Sequence, residues 1–174
     1  MRKLTHSEIV SRQISRSREP RLPFEVVLDN IRSLDNVGSV FRTADGIGVR
    51  KLWLCGITGY PPQGGIAKTA LGAEQSVPWE YQRSSAEVVR GLKQKGFHIV
   101  VMEQSVESIP LEKLQPCRPV CLVLGNEVDG VGEEICEQAD ALVEIDMLGV
   151  KNSLNVAVAF GIAAFQIRTA LSLP

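Results

Sequence analysis

The sequence predicts an α/β domain: a mostly parallel sheet with helices on both faces. Three observations carry that expectation. Short runs of apolar and β-branched residues recur along the chain, stretches with helical spacing separate them, and at least two runs end in loops rich in Gly, Asn and acidic residues. Strands spaced by helices pair in parallel, because a parallel neighbour needs a crossover long enough to hold a helix. Such sheets bind ligands beyond the carboxyl ends of their strands.

Taken in order, residues 1–21 come first. They hold six Lys/Arg (Arg2, Lys3, Arg12, Arg16, Arg18, Arg21) against Glu8 and Glu19, a net of +4, with one apolar pair, Ile9–Val10. This reads as a flexible basic N-terminal arm closed by Pro20 and Pro23, followed by one domain over 22–174. The domain holds 13 basic and 18 acidic residues, a net of −5. A basic arm on an acidic body is either a contact for a polyanionic partner or a solvated tail. Expected strands are Phe24–Leu28, Leu52–Cys55, Val77–Tyr81, His98–Met102, Val120–Leu124 and Ala141–Ile145. Expected helices are Asn36–Ile47, Ser84–Lys95, Glu133–Gln138 and Ser153–Thr169, and Ser84 with Glu87 forms a capping-box pattern. The breaker-rich stretch Gly56–Gly65 is either a mobile lid or a plain connection.

Several function classes are set aside. The first residues lack the apolar core of a secretory signal, and the densest apolar run, Val156–Phe165, is far shorter than the roughly 20 residues that cross a bilayer. A cytoplasmic protein with no membrane partner is expected. Cys55, Cys117, Cys121 and Cys136, with only His6 and His98 beside them, have no zinc-site spacing, so inert thiols and no metal are expected.

The densest cluster of candidate site residues spans 120–165. Strand Val120–Leu124 opens into Gly125, Asn126 and Glu127; strand Ala141–Ile145 opens into Asp146–Asn152, with Asn152 or Ser153 capping the last helix. That helix is apolar almost all round from Leu154 to Ile167, which suits either the centre of a core or a second copy packed against it. On the first helix, Val37, Val40, Phe41, Ala44 and Ile47 share a buried face. A turn of about 100° per residue puts Gly38, Arg42 and Asp45 on the other side, with Gly38 leaving open space beside Arg42. Asn36 stands at the helix entrance, where free N–H groups can meet an anion. From spacing alone Arg42 is either a solvated charge or a functional one.

Three ordered blocks resemble the SpoU/TrmH family of RNA ribose 2′-O-methyltransferases in the SPOUT superfamily. They are Asn36-Val37-Gly38 with Phe41-Arg42-Thr43-Ala44; Leu122-Val123-Leu124-Gly125-Asn126-Glu127 with Gly130-Val131; and Ile145, Met147, then Ser153-Leu154-Asn155-Val156-Ala157-Val158-Ala159. Lys68–Ala73 and Val77-Pro78-Trp79 are similar to the family's middle region, so the match runs from Phe24 to Arg168. The chain departs from the family at Asp146, where Pro is frequent.

The resemblance implies a C-terminal deep trefoil knot, which topology rules would not suggest. It implies S-adenosylmethionine as cofactor, held by Leu124, Gly125, Asn126, Glu127, Ile145, Met147, Ser153, Leu154 and Asn155. It assigns Arg42, Asn36, Glu127, Ser153 and Asn155 to catalysis and the last helix to a homodimer interface. The implied reaction is in-line methyl transfer to a ribose 2′-hydroxyl, by alignment more than by acid–base work. Because guanidinium is a poor base, Arg42 is expected to grip a phosphate and steady the nascent alkoxide, the proton going to a phosphate oxygen or to a rarely neutral Arg. RNA is the expected partner, tRNA ahead of rRNA since the chain shows no further RNA-binding domain. A non-catalytic RNA-binding module on the same fold is the competing reading. A dinucleotide enzyme is disfavoured, because no G-x-G-x-x-G follows the first strand.

Overall fold

Seven short apolar runs become the strands β1 (Phe24–Asp29), β2 (Lys51–Cys55), β3 (Trp79–Gln82), β4 (His98–Met102), β5 (Ile109–Pro110), β6 (Val120–Leu124) and β7 (Ala141–Glu144). In this computed structural model, which describes residues 1–16 and 19–172, they form one sheet in the order β3-β2-β1-β6-β4-β7-β5. Every pairing within it is parallel. β1 and β6 lie at the centre in register Phe24↔Val120 to Leu28↔Leu124, and both are buried along their whole length. That double burial is why they read as unbroken apolar runs rather than alternating ones.

Alternate residues of each strand feed two separate cores. On one face Val26, Leu28, Leu52, Leu54, Val100 and Leu122 pack under α2 (Leu34–Ile47), α3 (Gly64–Ala70), α4 (Ala73–Ser76) and α7 (Val156–Ser172). On the other, Val27, Ile99, Val101, Cys121 and Val123 pack under α5 (Ser85–Gln94) and α6 (Glu133–Cys136). Helices on both faces confirm the α/β expectation. Ser84 caps α5 as its spacing suggests, accepting from Glu87 N–H at 3.2 Å.

Several boundaries differ from the sequence reading. The arm carries a helix, α1 (His6–Arg16), with no buried residue; Ser17 and Arg18 of the arm and Leu173 and Pro174 of the domain lie outside the described residues. α2 begins earlier, at Leu34, capped by Ser33 rather than at Asn36. α7 begins later, at Val156; neither Asn152 nor Ser153 caps it, and Asn155 does, its Oδ1 accepting from Ala157 N–H at 2.9 Å. Gly38 faces no open space: it is buried, and an added Cβ would strike Thr69 Oγ1 and the Ile66 carbonyl. Its role is to let α3 approach α2 closely.

The last helix is not buried on every side of a single chain. Phe160, Ala163, Ala164, Ile167 and Leu171 fill the core, whereas Leu154 just before the helix and Val158, Ile162 and Phe165 on it stand exposed, Phe165 by 61%. Val158, Ile162 and Phe165 fall one above another at intervals of about one helical turn, a continuous apolar stripe.

Candidate functional site

The carboxyl ends of β1, β4, β6 and β7 lie side by side, and the loops leaving them make the site. After β6, Asn126 closes a tight loop by exchanging two backbone bonds with Gly130, each 3.0 Å. Its Oδ1 accepts from the N–H groups of Val128 (2.8 Å) and Asp129 (3.1 Å), and its Nδ2 donates to the Asn30 carbonyl after β1 (2.8 Å). Gly125 passes so near Gly130 and Val131 that a Cβ would strike their backbone. Gly130 holds φ +70, a conformation that favours glycine.

Glu127, the next residue, reaches across to the loop before α2. Its carboxylate accepts from Arg32 N–H (3.0 Å), Ser33 N–H (3.3 Å) and Asn36 Nδ2 (3.0 Å). Partial burial alone would raise its pKa, but the donors from Arg32, Asn36 and Ser33 outweigh it and hold the group below its ordinary value. An anion so held is a fixed anchor, poorly suited to take up a proton. Asn36 passes the connection on: its Oδ1 accepts from Asn155 Nδ2 at 3.0 Å, and Asn155 caps α7. Three residues 91 and 119 positions apart along the chain, Glu127–Asn36 and Asn36–Asn155, thus form one hydrogen-bonded line.

Beside this line lies a cavity of about 540 Å3, a size that suits a nucleoside-like ligand. Its walls include Leu124, Gly125, Asn126, Glu127, Ile145, Met147, Ser153, Leu154 and Asn155, all nine residues proposed for the cofactor. Asp146, at the departure from the family pattern, is exposed and absent from the wall. Ser153 lines the cavity without a hydrogen bond of its own among the described residues. Arg42 also has no partner among them; it is exposed on α2 and is not part of the cavity wall.

The sequence reading missed the carboxylates around the cavity. Besides Glu127 the wall carries Glu103, Asp129 and Glu144 and no Lys, Arg or His. Glu103 is fixed by Val131 N–H (2.7 Å) and Gln104 N–H (2.9 Å), Glu144 by Ser108 Oγ (2.9 Å). Glu103 directly follows β4, so the rule that ligands gather at strand carboxyl ends could have found it. A second depression, about 420 Å3, is lined by charged and amide side chains of α5 and the α6 region and contains none of these groups. Among the described residues no cluster of His, Cys, Asp and Glu has the arrangement of a metal site, and no helix is long and apolar enough to cross a membrane.

Residues 23–165 match the family model of the SpoU rRNA Methylase family. The chain is 36% identical over 145 residues to a tRNA (guanosine(18)-2′-O)-methyltransferase of Aquifex aeolicus, covering 81% of this chain and 66% of that protein. The crystal structure of the A. aeolicus TrmH/SpoU tRNA modifying enzyme matches with a TM-score of 0.81 and 30% identity, over 93% of this chain and 84% of that one. An AdoMet-bound rRNA methyltransferase from Sinorhizobium meliloti matches with a TM-score of 0.81 and 29% identity, over 91% and 60%. The chain spans 66% and 58% of the length of the first two of these curated relatives and 77% of a Thermus thermophilus one. Shared sequence across most of the domain and a shared fold lead to one conclusion: this chain belongs to the SpoU rRNA Methylase family.

Proposed function

We propose that this chain transfers the methyl group of S-adenosylmethionine to a ribose 2′-hydroxyl of RNA, with tRNA as the substrate. The observation that carries this reading is the hydrogen-bonded line Glu127–Asn36–Asn155 bordering a cavity whose ionisable lining is wholly acidic. The residues fit that cofactor: carboxylates and no basic group favour a ligand with a sulfonium and an ammonium, and disfavour a nucleotide carrying phosphates. Leu124, Ile145, Met147 and Leu154 supply apolar surface for its adenine. The bound cofactor supplies an activated methyl group on positive sulfur. The chain supplies position: Glu127 and Asn155 lock Asn36 at the cavity edge, and Arg42 holds an RNA phosphate and the developing alkoxide. The tRNA preference follows the A. aeolicus relative, which acts on a tRNA guanosine; the S. meliloti neighbour, an rRNA methyltransferase, supplies the alternative.

The same reading includes a homodimer and a C-terminal trefoil knot. The stripe Val158, Ile162 and Phe165 suits a two-fold partner, since a closed dimer hides a surface that a monomer would expose. Thr43 lies 4.0 Å from the Cβ position of Gly161 on α7, so its neighbour Arg42 stands near that stripe. Seated there, a second copy would bring its own loops toward Arg42, which accounts for an Arg set apart from the cavity of its own chain. The knot is supported by likeness to the solved relatives. A cytoplasmic location follows from the proposed substrate.

Titration calorimetry in the presence of a chelator tests the cofactor assignment. S-adenosylmethionine is expected to bind with no added metal and to raise the Tm by linkage. No heat at millimolar ligand would remove the enzymatic reading and leave an RNA-binding module. Light scattering is expected to give twice the chain mass of 19.0 kDa; an active monomer would contradict the dimer.

A further inference from the structure

Tyr60 meets both Tyr81 and Trp79 at the edge of the sheet. Tyr60 in the loop after β2 lies with its ring centroid 4.8 Å from Tyr81 and 6.2 Å from Trp79, stacked on the latter at an interplanar angle of 27°. Tyr81 is fixed by donating its hydroxyl to the Gly56 carbonyl at 2.9 Å. Tyr60 and Tyr81 remain 42% and 37% exposed, and Ile57 beside them 67%. The other tryptophan, Trp53, is closed off: its Nε1 donates to Glu25 and the Lys51 ammonium covers its ring.

The cluster reaches the first turn of α2. Trp79 packs on the core beneath α2, the face that also carries Asn36 and Arg42. Gly59, next to Tyr60, abuts Leu34 closely enough that a Cβ would strike it, and Leu34 is two residues from Asn36. The cluster differs in chemistry from the exposed stripe on α7, which is mainly aliphatic and suits protein. Partly exposed aromatic rings on a loop that abuts the start of α2, the helix carrying Asn36 and Arg42, suit an unstacked base, because every base offers a π-face and single-stranded RNA is read by such stacking.

We propose that Tyr60 and Tyr81, backed by Trp79, form a stacking platform for an unpaired RNA base near the methylated nucleotide. The proposal rests on the RNA-methyltransferase reading and names a part of its substrate site. The test is fluorescence anisotropy with a labelled RNA hairpin carrying a seven-nucleotide loop, against a fully paired duplex of equal length, for wild type, Tyr60→Leu and Tyr60→Phe. Leu keeps apolar bulk without a ring, and Phe restores the ring. Stacking predicts that Tyr60→Leu weakens hairpin binding about tenfold, leaves duplex binding within about twofold, and is rescued by Phe, with the Tm unchanged. Equal losses on hairpin and duplex, no loss, or failure of Phe to rescue would overturn it. If Tyr60→Leu lowers the Tm, Tyr81→Phe and Tyr81→Leu decide on the same hairpin-to-duplex ratio. A platform that fails while wild type still methylates RNA leaves the function standing; a platform that passes in a protein transferring no methyl group removes the function alone.

Discussion

Two of the loops that border the cavity, those after β6 and β7, are built in opposite ways. The loop after β6 is bonded at nearly every polar position: Asn126 to Asn30, Val128 and Asp129, and Glu127 to Arg32, Ser33 and Asn36. In the loop after β7, Leu148 and Val150 are fully exposed, at 101% and 104%, and Asn152 is tied by a single bond from Gln104 Nε2 at 2.8 Å. The geometry of the site is stored in the loop after β6. A wall whose donors and acceptors are satisfied within the chain can be pre-formed before any ligand arrives. An apolar loop left in water has few internal bonds to fix one conformation and is the part of the wall that a bound molecule can still order.

The largest effect is expected outside both loops. Arg42→Ala should lower single-turnover methylation by about 10²–10³-fold with cofactor affinity and Tm intact, since the side chain is exposed and unpartnered among the described residues. Arg42→Lys should recover little, because a point charge does not reproduce the planar fork. Normal turnover in the Ala variant would return Arg42 to the solvated charges.

Glu127→Gln strikes the pre-formed wall and should cost about tenfold in turnover, the size of one charge-assisted bond of roughly 1.5 kcal/mol. Its pH signature is specific. The folded-state pKa is depressed below the ordinary 4.5, so the stabilisation is fully present above that value and fades as pH falls through the folded-state pKa. The Gln variant should lose that acid limb, and an unchanged limb would show that Glu127 is not the anchor. Gly38→Ala tests the scaffold beneath the wall: the collision with the Ile66 carbonyl predicts a loss of about 1–3 kcal/mol in chemical denaturation. Smallest is Val150→Ser in the open loop, within about 0.5 kcal/mol in stability while the wall stays intact. A large destabilisation there would erase the contrast between the loops.

The same contrast explains what the sequence could tell. β4 and β6 match their expected limits, and β1, β2 and β7 differ by a residue at one end, because buried parallel strands announce themselves as apolar runs. β5 has two residues, Ile109 and Pro110, too few for any period. α3 and α4 were hidden by glycines at 64, 65 and 72 and by their seven- and four-residue lengths. Gly38 reads as open space in the sequence because helical periodicity describes one helix and is silent about α3 lying against it. At the site, Asn36, Glu127 and Asn155 could be placed on elements or named by resemblance, yet their mutual bonds span separations of 91 and 119 residues that no local pattern encodes.

In the proposed reading, the acidic cavity and the Glu127–Asn36–Asn155 line serve methyl transfer to a ribose hydroxyl. The direct measurement incubates the pure protein with isotopically methyl-labelled S-adenosylmethionine and RNA from cells lacking it, then digests the RNA to nucleosides for mass spectrometry. The expected result is label on a single 2′-O-methylnucleoside, strongly reduced with Asn155→Ala and unchanged with Cys117→Ser. Label on a base, or no label in RNA while the cofactor binds, would contradict it.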